Sequence, residues 1–316
     1  MKRLKLKKQQ VNKQKIDTQQ LNQLIRRNKF YLICTLMVGI CSGSAFATES
    51  GADSFPHGAE GIMAGALPPA GLYFLGYYQQ YRATEFLDAK GKALIPDFDL
   101  DVHAVVPRVV WMTDHKILGG ELGFYGILPL VNLRVQMAGE RDHRTGIGDM
   151  MVAPMLGWHQ GNHHWIAALE SILPTGEYDA DRIANIGKNY YTFRPIVAYS
   201  YNHAGWDVST KMAYSFNAEN DDTNYQSGQY FSADYSVGYQ ILPDINFAVQ
   251  GYVFRQMSDD QQDNVDIGFR GKSVAVGPAI HYQQKGWSLE AKYLAETKVE
   301  NRPKGDTAWL KLVWAF

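Results

Sequence analysis

The sequence predicts an all-β protein, a twelve-stranded antiparallel transmembrane β-barrel of the outer-membrane type, and three observations predict it. First, the last ten residues, Thr307 to Phe316, alternate with period two. Phe316, Trp314, Leu312, Leu310 and Ala308 share one apolar face, and Ala315, Val313, Lys311, Trp309 and Thr307 share the other. A bare apolar last strand invites aggregation in water, but not where its edge pairs and its apolar face meets lipid. Second, strand-length alternating segments follow one another from Gly71 onward, and the lengths of their connections alternate. Third, Trp111, Trp158, Trp165, Trp206, Trp287 and Trp314 all fall at or near the short connections, as an interfacial belt requires.

In chain order, the first feature is a leader. Phe30 to Ile40 (FYLICTLMVGI) follows Arg26, Arg27 and Lys29 and precedes Ser44-Ala45-Phe46-Ala47. The apolar run has the length of a signal-peptide core and is too short to span a bilayer. Residues 1–47 are therefore expected to be a signal peptide with a long basic leader, cleaved after Ala47. Ile40 is too bulky to precede a lipidated Cys41. The leader carries ten Lys+Arg and one acid, so removing it leaves 21 basic and 31 acidic side chains, a net charge of about −10. Both cysteines, Cys34 and Cys41, leave with it, which excludes disulfides, thiolate catalysis and Cys-bound metal. An acidic chain is also a poor nucleic-acid binder.

Residues 48–70 are small, Gly-rich and aperiodic, ending at Pro68-Pro69. They are expected to form either a periplasmic lead-in or a plug in the lumen. Residues 71–316 form the barrel. Its strands are expected near 71–86, 98–112, 118–137, 147–158, 165–178, 190–202, 206–217, 230–241, 245–256, 273–282, 287–296 and 307–316. Along Trp206 to Asn217, the side chains of Trp206, Val208, Thr210, Met212, Tyr214 and Phe216 oppose Asp207, Ser209, Lys211, Ala213, Ser215 and Asn217. Short turns are expected at 113–117, 159–164, 203–205, 243–244 and 285–286. Longer loops are expected at 87–97, 138–146, 179–189, 218–226, 257–270 and 299–306. Short turns at one end and long loops at the other are the habit of outer-membrane barrels. Tyr190, Tyr191, Phe193, Tyr214, Phe216, Tyr230 and Phe231 lie near the long loops and are expected to form a second aromatic belt.

Several stretches resemble the outer-membrane transporter family named for the meta-pathway of phenol degradation. They are Gly146-x-Gly148-Asp149, Leu156-Gly157-Trp158-His159, Leu173-Pro174-Thr175-Gly176-Glu177-Tyr178-Asp179 and Asn185 to Phe193. Glu219-Asn220, Tyr225 to Gly228, Gly277-Pro278, Asn301-Arg302-Pro303-x-Gly305 and Leu67-Pro68-Pro69-x-Gly71-Leu72-Tyr73 complete the pattern. The resemblance covers nearly all of the chain after the leader. It implies an outer-membrane barrel associated with aromatic catabolism and brings no residue roles.

In a closed barrel alternate side chains face the lumen, and charged ones must, because a charge facing hydrocarbon costs about 2–4 kcal/mol at the midplane. Asp149, Glu170, Arg194, Lys211, Asp234, His281, Glu290, Lys292 and Lys311 are the lumen-facing candidates. They would form a constriction that selects solutes, or a salt-bridge ladder that fills the lumen. Pro107, Pro129, Pro154, Pro174 and Pro195 fall in five successive expected strands, and Pro278 in a later one. Each deletes a ladder donor. Together they would weaken one wall enough for sideways exit of an apolar solute, or only set curvature through bulges.

No catalytic residue is expected: none of the nine histidines has a Ser two positions on, the arrangement outer-membrane phospholipases carry. No cofactor is expected, and no metal. The acidic loop of Asp259, Asp260, Asp263 and Asp266 lacks the Gly and Glu of a helix-loop-helix calcium site. The expected partners are outer-membrane lipid and lipopolysaccharide, the barrel-assembly machinery through the Phe316 strand, and a small-molecule solute. The sequence expectation is a channel for passive uptake of small apolar or aromatic solutes in a Gram-negative outer membrane. Its rivals are a general diffusion pore and a structural or adhesive protein with a plugged lumen.

Overall fold

The computed structural model describes residues 53–316. The leader, the expected cleavage point after Ala47, Cys34 and Cys41 lie outside the described residues. Twelve strands form one ring. They are β1 (Gly71–Phe86), β2 (Asp99–Ile117), β3 in two halves (Gly120–Ile127 and Leu130–Met137), β4 in two halves (Glu140–Ile147 and Met150–Gln160), β5 (His163–Leu173) and β6 (Thr192–His203). The rest are β7 (Trp206–Asn217), β8 (Tyr230–Leu242), β9 (Ile245–Gln256), β10 (Lys272–Gln284), β11 (Trp287–Glu300) and β12 (Pro303–Ala315). Each pairs antiparallel with its sequence neighbours, and β12 closes the ring on β1 from Tyr73↔Ala315 to Phe86↔Pro303.

The burial pattern shows why this sequence closes. Along β7, Trp206, Val208, Met212 and Phe216 are exposed, whereas Asp207, Ser209, Ser215 and Asn217 are buried. The same inversion recurs on β9, where Phe247 and Val249 are exposed and Gln250 is buried, and on β12, where Leu310 and Trp314 are exposed and Thr307 is buried. An apolar exterior around a polar interior inverts the pattern of a soluble domain, and lipid is the solvent that demands it. Among the described residues there is no helix.

At one end all five connections are two-residue turns, at Leu118-Gly119, Gly161-Asn162, Ala204-Gly205, Pro243-Asp244 and Lys285-Gly286. Leu118 and Gly119 both have positive φ, as do Ala204 and Gly205, the primed geometry that matches strand twist. The opposite end carries the long loops, with corrections to the sequence expectation. The loop expected at 138–146 is a tight turn at Ala138-Gly139, also with positive φ at both residues, and β3 and β4 simply run on past it. The loop expected at 299–306 is likewise only Asn301-Arg302. The loops expected at 218–226 and 257–270 contain the short strands Glu219–Asn220, Tyr225–Gln226, Asp260–Gln262 and Val265–Gly268, which pair into a small sheet. Within it Asp260 is buried and accepts from the Gly228 amide (2.6 Å) and the Gln256 side chain (2.6 Å). In the expected second belt, Tyr191, Phe193 and Phe216 are exposed, but Tyr230 is buried because its strand parity turns it inward, and Tyr190 is buried in the loop ahead of β6.

Of the six prolines, Pro174 lies just past the end of β5 and not inside a strand, which corrects the sequence expectation. Pro129 sits in the break between the halves of β3. Pro107, Pro154 and Pro195 each pair without a break on one side (Gly76↔Pro107, Phe124↔Pro154, Leu169↔Pro195). On the other side the ladder skips two residues. β2 and β3 jump from Val105↔Leu130 to Arg108↔Ile127, β4 and β5 from Val152↔Ser171 to Met155↔Ala168, and β6 and β7 from Phe193↔Phe216 to Ile196↔Ala213. Pro278 does the same between β10 and β11. A missing N–H is the physical reason each time. The β5–β6 ladder is unbroken.

Candidate functional site in the barrel lumen

Residues 53–69 thread the ring from the long-loop end to the short-turn end. At the top, Asp53 makes a bidentate pair with Arg302 in the β11–β12 turn (2.6 and 2.8 Å) and accepts from His57 Nε2 (2.7 Å). Burial alone would raise the Asp53 carboxyl, but Arg302 and His57 outweigh it and hold it well below the usual carboxylate range. Below it, the backbone amides of Gly58 and Glu60 donate to the two oxygens of Asp234 (2.9 and 3.1 Å). Lys292 Nζ donates to the carbonyls of Ala59 and Glu60, the Ile62 amide donates to Glu290 (3.2 Å), and the Gly65 amide donates to Ser200 Oγ (2.8 Å). A segment without a sheet partner must satisfy most of its amides on side chains, and the inner wall supplies them, while a turn at 62–65 satisfies the amides of Ala64 and Ala66 on Gly61 and Met63. Gly65 lies so close that a Cβ would overlap the backbone of Ser200 and Tyr199, and Gly58 has φ +79°. Both explain why this stretch is Gly-rich.

At mid-depth the Glu60 carboxylate meets three cations from three strands. Lys311 Nζ lies 2.9 Å away, Arg108 Nη1 3.0 Å and Lys211 Nζ 3.9 Å, and the Tyr77 hydroxyl donates at 3.4 Å. Beside this cluster Arg194 pairs with Glu170, which also accepts from Tyr125 (2.7 Å), and both partners are about 1% exposed. The Phe55 ring of the threaded segment faces the Arg194 guanidinium at 3.9 Å and the Lys211 ammonium at 4.7 Å.

The sequence-predicted residues thus separate into groups. Lys211 and Lys311 join around Glu60. Glu170 pairs with Arg194. Glu290 and Lys292 lie 3.3 Å apart, and Gln250 on β9 donates to Glu290 (3.2 Å) and accepts from Lys292 (3.0 Å). Asp234 holds backbone. His281 lies half-buried opposite Glu290 in the β10–β11 register. Asp149 stands apart, in the break between the halves of β4, where it accepts from the amides of Gly176 and Lys188 (2.9 and 2.8 Å) and pins the 174–191 loop. Sequence reasoning missed Asp53, Glu60, Arg108 and Arg302. Arg108 carried a usable signal: one charge inside Ala104-Val-Val-Pro-Arg-Val-Val-Trp111 cannot face lipid. Glu60 carried none, because its stretch has no period.

The segment splits the lumen into two cavities. The outer one, about 260 Å³, is lined by Val102, Val106, Ile127, Val131, Leu133 and Met151 among others. The inner one, about 450 Å³, opens toward Leu67, Trp287 and Val313. Glu60, Arg108 and Lys211 line both and form the divide. Pro129 and Gly148, at the breaks in β3 and β4, line the outer cavity.

Residues 83–312 match the family described as "Putative MetA-pathway of phenol degradation". The chain belongs to that family. Among solved structures it is similar to the COG4313 outer membrane channel from Pseudomonas putida F1, at 20% identity and a TM-score of 0.71, over 83% of this chain and 99% of that one. Fainter likenesses to the β domain of the Bordetella autotransporter BrkA (12% identity, TM-score 0.49, over 78% and 100%) and to the KdgM porin (9%, 0.41, over 77% and 99%) add nothing to the fold assignment. No curated protein sequence matches the chain. This member of the phenol-pathway family is an outer-membrane β-barrel with the fold of a channel.

Proposed function

We propose that this barrel takes up small apolar or aromatic solutes by passive diffusion, with residues 53–69 as its gate, and that it catalyses no reaction. The observation that carries the reading is the pair of cavities that meet at the Glu60 divide, the outer one with an aliphatic side from β2–β4 (Val102, Val106, Ile127, Val131, Leu133, Met151) facing the lumen charges. A diffusion pore for hydrated ions has no use for such a wall, since water leaves apolar surface readily and an apolar solute fills it. The breaks at Pro107, Pro129 and Gly148 border this outer cavity, so a solute there stands next to the thinnest part of the ladder. That supports sideways release into the bilayer through the β2–β4 wall, with Pro154 and Pro195 extending the weak region. The reading assigns the lumen charges to holding the gate.

The test is uptake of labelled toluene and benzoate into liposomes containing the whole barrel or a variant lacking residues 48–68. Faster uptake by the deletion, above protein-free liposomes, is the expected result. Equal uptake of every small solute regardless of polarity would instead favour a general pore. The dense bonding of the segment favours a second reading, a structural barrel with a permanent plug. No uptake and no conductance with the segment present or removed would establish that one.

A further inference from the structure

Three cations converge on one carboxylate at the divide, and the carboxylate belongs to the threaded segment. Arg108, Lys211 and Lys311 are fixed on β2, β7 and β12, while Glu60 arrives on the threaded segment. The neighbouring pair Glu170–Arg194 is internally neutral. Asp234 lies opposite Lys211 and Glu290 opposite Lys311 in the ladders, with Lys292 beside Glu290, so the cations exceed the acids by one with Glu60 in place and by two with Glu60 withdrawn. Arg108 Nε, in addition, is buried without a hydrogen-bond partner, so the guanidinium has capacity for one more acceptor oxygen. The apolar outer cavity opens directly onto this cluster, and the aromatic ring of Phe55 already lies against Lys211 and Arg194.

The geometry points to the Arg108–Lys211–Lys311 cluster as a binding site for a small aromatic carboxylate, with Glu60 as its built-in competitor. The wall demonstrably holds a carboxylate at hydrogen-bonding distance. A free aromatic acid offers the same group on a ring that the adjacent aliphatic cavity accepts. Such a ligand would displace Glu60, remove the central ion pairs of the segment and so open its own path. This names the substrate class of the proposed channel and rests on that reading.

The experiment is calorimetric titration of the folded barrel in detergent with sodium benzoate and with benzyl alcohol, which keeps the ring and lacks the charge. Glu60→Gln is expected to bind benzoate tighter than the unaltered chain by on the order of tenfold, the scale of one charge-assisted hydrogen bond, with benzyl alcohol unchanged. Adding Lys311→Gln is expected to cancel the gain. No gain for benzoate, or an equal gain for both probes, overturns the inference. Should Glu60→Gln fail to assemble, amide exchange in the unaltered chain decides. Saturating benzoate is expected to accelerate exchange at residues 58–63 where benzyl alcohol does not, and no acceleration overturns the inference. Absent liposome uptake beside a normal benzoate titration would sink the channel reading alone. Normal uptake beside a flat titration would sink this inference alone.

Discussion

Asp53 and Arg302 illustrate at the residue scale how the lumen is held. Both side chains are buried, and removing Asp53 takes from Arg302 the carboxylate that compensates it, a loss of about 3–5 kcal/mol for a buried pair. Asp53→Asn is therefore expected to free the start of the threaded segment while the ring stays intact. Hydrogen exchange should rise at residues 54–60 and stay unchanged on β7–β9. The same pair sets a pH dependence. The folded carboxyl of Asp53 lies below its unfolded value of about 4, so its anchoring is fully present above that value and fades only as pH falls through the lower one. A fluorine label on the Phe55 ring should give one unchanged resonance from neutral pH down to about 5, and broaden only in stronger acid. Broadening already at pH 6 would place control with another group. At this scale the sequence was legible wherever strand parity held, as for Glu170, Arg194 and Lys292. It was not legible for Glu60, since residue type in an aperiodic stretch says nothing about which distant strands will meet it.

Among the elements, the interrupted ladders matter most. In β2 and β3 the skip spans two residues, with one cross-bond from the Leu128 amide to the Pro107 carbonyl (3.2 Å). Replacing Pro107 and Pro129 by Val restores two donors and removes the reason for the skip. The double variant should assemble at least as well as the unaltered barrel, gaining about 0.5–1.5 kcal/mol per bond formed. If solute leaves through this wall, toluene uptake into liposomes should fall while the unfolding midpoint holds or rises. Unchanged uptake in a tightened wall would send the solute down the axis instead. Most element boundaries could be read from alternation, and four of the five two-residue turns fall within the short connections expected. The first, expected at 113–117, is at Leu118-Gly119, because the polar run Thr113 to Lys116 is strand and β2 continues to Ile117. The miss at 138–146 has a specific cause. Ala138 adopts positive φ in a tight turn where Asn or Asp would have advertised one, so the polar run Glu140 to Thr145 looked like a loop. That run is in fact strand, next to the turn at the long-loop end and exposed or half-buried along its whole length.

For the whole molecule, the decisive quantity is which side of each ribbon is wet. The inverted burial pattern was predictable because period two and the demand of lipid are both local. The threaded segment was not, because its wall partners are scattered from 17 to 251 positions away in the sequence. Its removal should convert a quiet protein into a conducting one: planar bilayers holding the unaltered barrel should show little current, and the variant lacking residues 48–68 steady channels. The path of that segment also constrains how the molecule can be made. Asp53 sits beside the β11–β12 turn at the long-loop end, whereas Phe316 lies at the short-turn end against Leu72. To reach this position the chain ahead of Asp53 has either to lie within the sheet before the seam closes or to pass through the narrow lumen afterwards. A bulky folded domain fused ahead of residue 48 should therefore be trapped at assembly, while the same domain following a flexible spacer after Phe316 would stay outside the knot.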